Sequence, residues 1–372
     1  ASRGLGDVYK RQILAIVCDG EVCSNMQEGN KGILVLDRTP FYAEMGGQVA
    51  DHGVIETESA LFRVTDVQKD KSGKFLHYGE LHSGSLHVEQ EVTASIDMDR
   101  RKAIMRAHSA THLLHAALRE VLGDHVHQAG SLVEPDRLRF DFTHFEGITP
   151  QQLDEVEDLV NDAILSGLPI TTEELPIAEA KARGAVATFG EKYGQTVRVV
   201  TMGDFSMELC GGTHLDNTAK VGSFHILSES SIASGVRRIE AVTGKEFLRM
   251  SNEANLKLAK AAELLKTKPS DLLAKTESFV SEMKEMRQNV EHLKDKLLYG
   301  DVERFLFAAK QIGGLSVLTA TRTDLSANDL RKIGDFLRDK APKVVAVLAT
   351  INDNKVIFVA SCGAEAVAQG VK

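Results

Sequence analysis

The sequence predicts an α+β protein of several domains: a small β-barrel-like domain, a mixed α+β domain, a long helical hairpin of coiled-coil character and a small α/β unit. Three observations predict it. A chain of 372 residues exceeds the roughly 250 at which a single core stops growing efficiently. The first hundred residues hold short β-prone runs without helical period, whereas later stretches are strongly periodic. From about Lys245 to Tyr299 the composition turns rich in Lys, Glu, Leu and Ala.

Residues 1–12 carry no initiator Met and no apolar centre of a secretory signal, and they read as a fragment edge of non-native character. Residues 13–99 form the barrel-like domain, with strands expected at Ile33 to Leu36, Leu61 to Val67 and Val92 to Ile96. Within it, Thr39 to Gln48 is a loop whose paired glycines, Gly46 and Gly47, permit positive φ or a close backbone approach, as in a tight turn.

Residues 100–244 form the mixed domain. A helix from Arg100 to Leu122 is stopped by Gly123. A second helix starts at Thr149-Pro150-Gln151-Gln152, a capping box with Pro at the first helical position, and a strand follows at Thr196 to Met202. Residues 245–308 read as a helical hairpin broken at Lys268-Pro269-Ser270. In its second arm Leu272, Thr276, Phe279, Met283, Met286, Val290, Leu293 and Leu297 recur at spacings of four and three, the seam of a coiled coil, so these methionines are expected as core packing. Residues 309–372 form the α/β unit: strand Leu315 to Thr321, a helix behind the Ser326 cap to Lys340, then strands Val344 to Thr350 and Lys355 to Ser361. The unit reads as cut short at Lys372.

The 43% hydrophobic and 26% charged content supports real cores, and no run of about 18 apolar residues predicts a membrane span. Cys18, Cys23, Cys210 and Cys362 are irregularly scattered, which suits a reducing compartment and makes the cytoplasm the expectation. A net charge of −9 excludes indiscriminate wrapping of nucleic acid. RNA contact would need local patches such as Arg100, Arg101, Lys102 and Arg106, or Arg237 and Arg238, each of which reads first as solvated surface.

His108 and His112 stand four apart in the Arg100 helix, which stacks both imidazoles on one face. Cys210-Gly211-Gly212-Thr213-His214 supplies a thiol and an imidazole at the same separation. Together the pairs make a Cys1His3 set suited to Zn²⁺, with His115 beside it as a supporting or surface residue. No Glu lies between His108 and His112, so the zinc-protease arrangement is absent, and so is a phosphate-binding P-loop.

The ordered motifs His108-Ser109-Ala110-Thr111-His112-Leu113-Leu114-His115, His127-Gln128-Ala129-Gly130-Ser131-Leu132, Arg139-Phe140-Asp141-Phe142 and Cys210-Gly211-Gly212-Thr213-His214 resemble the editing domain of the alanyl-tRNA synthetase family. The Thr39 loop resembles the segment before that domain. The hairpin and α/β unit resemble the family's C-terminal oligomerisation and tRNA-binding region, a DHHA1-like module shared with DHH-type phosphoesterases. The resemblance implies zinc on His108, His112, Cys210 and His214, tRNA(Ala) as partner, a homodimer formed through the C-terminal region, and an editing pocket near Gln128 that hydrolyses Ser-tRNA(Ala) or Gly-tRNA(Ala). It also implies that the ATP-binding aminoacylation domain lies upstream, so this chain is not expected to aminoacylate.

A pocket that accepts alanine rejects glycine and serine only weakly, which is the chemical reason for a second hydrolytic site. Recognition of the serine hydroxyl there needs a polar group. Thr111 and Thr213 are the candidates, and either could instead be taken up by local backbone. Gln128 would orient substrate or water, or simply bond backbone. The alternative of a different class is a non-catalytic, zinc-stabilised tRNA-binding and dimerisation module, which a closed four-ligand site would favour.

Overall fold

The computed structural model describes residues 8–187, 194–323, 325–352 and 355–371. The chain divides into two compact units, residues 1–255 and 256–372.

The first unit opens with nine strands: β1 (Val8–Cys18), β2 (Glu21–Cys23), β3 (Asn25–Gln27), β4 (Lys31–Leu36), β5 (Gly53–Glu56), β6 (Leu61–Lys69), β7 (Phe75–Ser83), β8 (Ser85–His87) and β9 (Glu91–Ile96). Six of them close a barrel in the order β1-β4-β7-β6-β5-β9, because β1 also pairs with β9. It can serve two neighbours since its first half, Val8 to Gln12, pairs with Ser95 to Glu91. After a register shift its second half pairs with β4. The first strand therefore starts at Val8, earlier than expected at Ile13, and five of the residues set apart as a foreign edge belong to the barrel wall. Alternation fills the interior: Phe62, Val64 and Val67 of β6 point inward, the irregular step coming from a bulge between Val64 and Asp66.

The rest of this unit comprises α1 (Met98–Leu122), β10 (Gln128–Val133), β11 (Leu138–Thr143), α2 (Pro150–Leu165), β12 (Ile170–Pro176), α3 (Ile177–Ala182), β13 (Thr196–Met202), β14 (Ser206–Leu209), β15 (Phe224–Ala233) and β16 (Val236–Thr243). Two antiparallel sheets result, β10-β11-β16-β15 and β12-β13-β14. Asp97 caps α1 by accepting from Arg100 N, and the expected capping box of Thr149 and Gln152 opens α2. From Ala107 to His115 every residue of α1 is buried, the mark of a helix enclosed on all sides. It packs on α2 and on Phe140, Phe142, Phe224 and Ile239 of the four-stranded sheet.

Helix α4 (Gly244–Leu264) runs past residue 255 into the second unit, where a short 3-10 turn at Pro269–Asp271 precedes α5 (Leu272–Phe307). Then come β17 (Lys310–Ile312), β18 (Leu315–Thr323), α6 (Ala327–Lys340), β19 (Val344–Asn352), β20 (Lys355–Cys362) and α7 (Ala364–Ala368). The sheet order is β17-β18-β19-β20, with β18 and β19 parallel across α6, whose Ser326 cap forms a capping box with Asp329. Leu330, Ile333 and Leu337 of α6 and Val344, Ala346 and Leu348 of β19 make its core. The seam of α5 departs from expectation. Phe279, Met283, Met286, Val290, Leu293 and Leu297 are exposed, Met286 at 61%, so within one chain they are not core packing. The period shows that one face is apolar; among the described residues of the second unit nothing covers that face.

Candidate metal centre

The enclosure of α1 brings His108 and His112 into the core, where their rings stack with centroids 5.4 Å apart. The loop after β14 delivers Cys210 and His214 to the same point. Cys210 Sγ lies 3.4 Å from His108 Nε2 and 3.2 Å from His214 Nε2, and donor atoms of all four residues fall within 4.8 Å of one another. Ligands around a tetrahedral zinc sit about 3.3–3.8 Å apart. A contraction of at most about 1.5 Å would close the set.

The second ring nitrogens carry more information than the spacing does. His108 Nδ1 is 2.8 Å from Gln48 Oε1, His112 Nδ1 is 2.8 Å from Glu208 Oε2, and His214 Nδ1 is 3.3 Å from Ser109 Oγ. Three separate polar groups thus hold the Nδ1 side of three imidazoles, leaving each Nε2 to face the centre. His112 Nε2 is buried with no hydrogen-bond partner. A buried imidazole nitrogen in that state costs free energy unless a proton acceptor or a metal satisfies it, so the donor set fits a soft divalent ion.

Electrostatics agree. Burial opposes a thiolate at Cys210, yet His108, His214 and His112 outweigh it and hold the thiol well below its ordinary range. Gly212 N donates to Cys210 Sγ at 3.3 Å, adding to that preference. At His112 burial works against the charged form, but the carboxylate of Glu208 and the Cys210 sulfur push it up to about 10. Burial takes His214 down to about 3. Glu208, although buried, is held below the usual carboxylate range by His112 and His115. Metal binding here would displace a proton from His112, as ligation generally does.

The local backbone is built for this. A Cβ at Gly212 would meet His108 Cε1 at 2.0 Å and Gln48 Oε1 at 2.9 Å, so only glycine lets the loop lie against the imidazole. Arg198 of β13 grips the loop through the carbonyl oxygens of Cys210 and Gly212. The barrel contributes too. Gly47, at φ +81°, presses on β10 where a Cβ would stand 2.4 Å from Ser131 O, and Gln48 beside it is fully buried.

The four expected ligands come together, and His115 is buried beside them, its Nδ1 3.2 Å from Glu208 Oε1. The other candidates fall differently. The hydroxyl of Thr111 donates to Ala107 O within α1, at 2.9 Å. Thr213 sits in the loop with its N–H donating to Gln48 Oε1 and its hydroxyl accepting from Gln48 Nε2, both at 2.9 Å. Gln128 opens β10 opposite Phe142, half-buried, and its amide makes no hydrogen bond among the described residues. Gln48, Ser109, Arg198 and Glu208 were not singled out from sequence. Strand alternation could have found Glu208, since positions two apart share a face and Cys210 is the second residue after it.

Three arginines of the two patches are held by carboxylates. Arg101 forms a buried pair with Asp51, Arg237 pairs with Glu229, and Arg238 binds Asp141 through two bonds of 2.7 and 2.9 Å. They brace the fold more than they offer free cations.

Residues 7–100 match the family described as tRNA synthetases class II (A), and residues 197–240 match the threonyl and alanyl tRNA synthetase second additional domain. An alanine–tRNA ligase of Acetivibrio thermocellus is 48% identical over 97% of this chain and 41% of its own length. Those of Geobacillus thermodenitrificans and Geobacillus kaustophilus are 43% and 44% identical over 98% and 96% of the chain. The chain belongs to the alanyl-tRNA synthetase family. It spans about two-fifths of the length of these relatives. Within this alanyl-tRNA synthetase segment, the second additional domain match takes in Arg198, Glu208, Cys210 and His214 together, and the class II (A) match takes in the barrel and Gln48.

Proposed function

We propose that the chain is an editing module that hydrolyses the ester of Ser-tRNA(Ala) or Gly-tRNA(Ala) at a zinc centre held by His108, His112, Cys210 and His214. The observation that carries this reading is the set of three imidazoles whose Nδ1 atoms are engaged by Gln48, Glu208 and Ser109 while Nε2 faces Cys210. Zinc, when bound, supplies a positive charge that orients the substrate and polarises groups near it. Hydrolysis needs a water oxygen to add to the ester carbonyl, the bond from carbonyl carbon to ribose oxygen to break, and a proton to reach that oxygen. The neighbouring ribose hydroxyl of the substrate can relay this proton.

Gln128, with its amide uncommitted, orients substrate or water. Thr213, fixed by Gln48, offers its hydroxyl to a serine side chain. Thr111 has donated its hydrogen to Ala107 O, so it can serve only as an acceptor there. The partner is tRNA(Ala), the exposed seam of α5 supports a homodimer, and the setting is the cytoplasm. Among the described residues no helix is long and apolar enough to cross a membrane.

A second reading, a non-catalytic zinc-stabilised module for tRNA binding and dimerisation, is favoured by the four-ligand set, because four protein ligands usually close a zinc site. Single-turnover hydrolysis of Ser-tRNA(Ala) against Ala-tRNA(Ala), before and after chelation and with Cys210→Ala, separates the two. Selective, metal-dependent hydrolysis supports editing. Tight tRNA binding by a zinc-loaded chain that hydrolyses neither ester overturns it in favour of the second reading.

A further inference from the structure

The chain's cysteines look scattered in sequence, yet the fold pairs two of them far from the metal centre. Cys18 ends β1 and Cys23 ends β2, joined by the two-residue turn Asp19-Gly20. Both turn residues have positive φ, 52° and 86°, the conformation that matches a tight hairpin to strand twist. In this register Cys18 faces Glu21 and Cys23 faces Ile16, which puts both thiols on the same face as diagonal neighbours. Their sulfurs are 2.8 Å apart, both half-buried against the barrel core. β2 is the outermost strand of its sheet, so Cys23 is approachable from its free edge.

We propose that Cys18 and Cys23 form a reactive dithiol site that small disulfides oxidise to an intramolecular disulfide. Cys23 stands on the edge strand, where a small disulfide reaches it first, so it opens the exchange; burial and the neighbouring Cys23 hold the Cys18 thiol up at about 11. Cys23 loses its proton and attacks one sulfur of the small disulfide, expelling a thiol. Cys18 then loses its proton and displaces the second thiol from the mixed disulfide. Two S–H bonds are lost, one S–S bond forms, and the oxidant is reduced to two thiols. The sulfurs need to approach by about 0.8 Å to reach bonding distance. Diagonal neighbours usually lie about 7–8 Å apart at Cα, the outer reach of a disulfide, so the hairpin tip must yield, and Gly20 is where it can.

The test is to expose the folded, zinc-loaded chain to oxidised glutathione and follow intact mass and peptide maps. The expected result is loss of two hydrogens, a cross-linked Cys18–Cys23 peptide, and recovery of both thiols on adding a reducing thiol. In Cys18→Ser a glutathione adduct should persist on Cys23, because nothing resolves it. The proposal is overturned if both thiols stay free to alkylation in the folded chain, if the cross-link forms only in denaturant, or if the Cys23 adduct accumulates as much in the parent as in Cys18→Ser.

Discussion

Gln48 and Thr213, 165 residues apart, share three hydrogen bonds through one side-chain amide, which also accepts from His108 Nδ1 at 2.8 Å. The barrel loop thereby fixes both the loop that carries two expected ligands and the imidazole of a third. Gln48→Ala is expected to lower metal affinity about 10- to 100-fold, the usual effect of losing a group that orients a ligand. Competition against a chromophoric chelator measures this. Unchanged affinity would mean that the barrel does not support the centre.

Glu208 joins His112 to His115 and also accepts from Ser206 Oγ at 3.1 Å. Glu208→Gln keeps the shape but can no longer accept at both oxygens. Affinity should again fall roughly 10- to 100-fold. The spectrum of the cobalt-substituted chain should shift with it, because the His112 ring is freed to turn.

At Gly212 the expectation is steric. Gly212→Ala puts a methyl where His108 Cε1 already lies 2.0 Å away, and that ring is held by Gln48. Loss of metal binding should exceed that of either variant above. The metal-free chain should lose about 1–3 kcal/mol, the usual cost of overpacking a core, read from denaturant unfolding.

His77 predicts a pH effect away from the centre. Its Nδ1–H donates to Leu34 O at 2.9 Å, its Nε2 is 2.7 Å from Thr39 Oγ1, and burial lowers it to about 4 from 6.5. Below pH 6.5 the unfolded chain takes up the proton first. This contribution to stability is therefore complete above 6.5, is lost as pH falls toward 4, and is flat below. Its size is about 3 kcal/mol. Unfolding curves of the parent against His77→Asn should diverge in slope only across that window.

The α5 seam predicts assembly. Met286 and Val290 are 61% and 46% exposed, so Met286→Glu with Val290→Glu should change the unfolding free energy of one chain by no more than about 0.5 kcal/mol. If the seam joins two copies, sedimentation should move from dimer to monomer.

Much of this was legible wherever a local rule governs. The capping box at Thr149, the cap at Ser326 and the stop at Gly123 fall where expected, because caps and periodicity are written within a few residues. The four expected ligands were legible through two i, i+4 pairs. The groups that aim them were not. Gln48 reaches His108 from the barrel, and Ser109 meets His214 across 105 residues, contacts that no short-range period encodes. The seam shows the opposite limit. A heptad reveals which face of α5 is apolar but is silent about what covers it, and the arginine patches likewise gave no sign of the acids they would meet.

Closure of the barrel through β1 and β9 has a consequence for biosynthesis. Val8 must wait for Ser95 before the wall can seal, and every strand between them must already have left the ribosome. Until then β1 presents an unpaired edge to whatever surrounds the nascent chain. Stalling before Glu91 emerges would prolong that exposure.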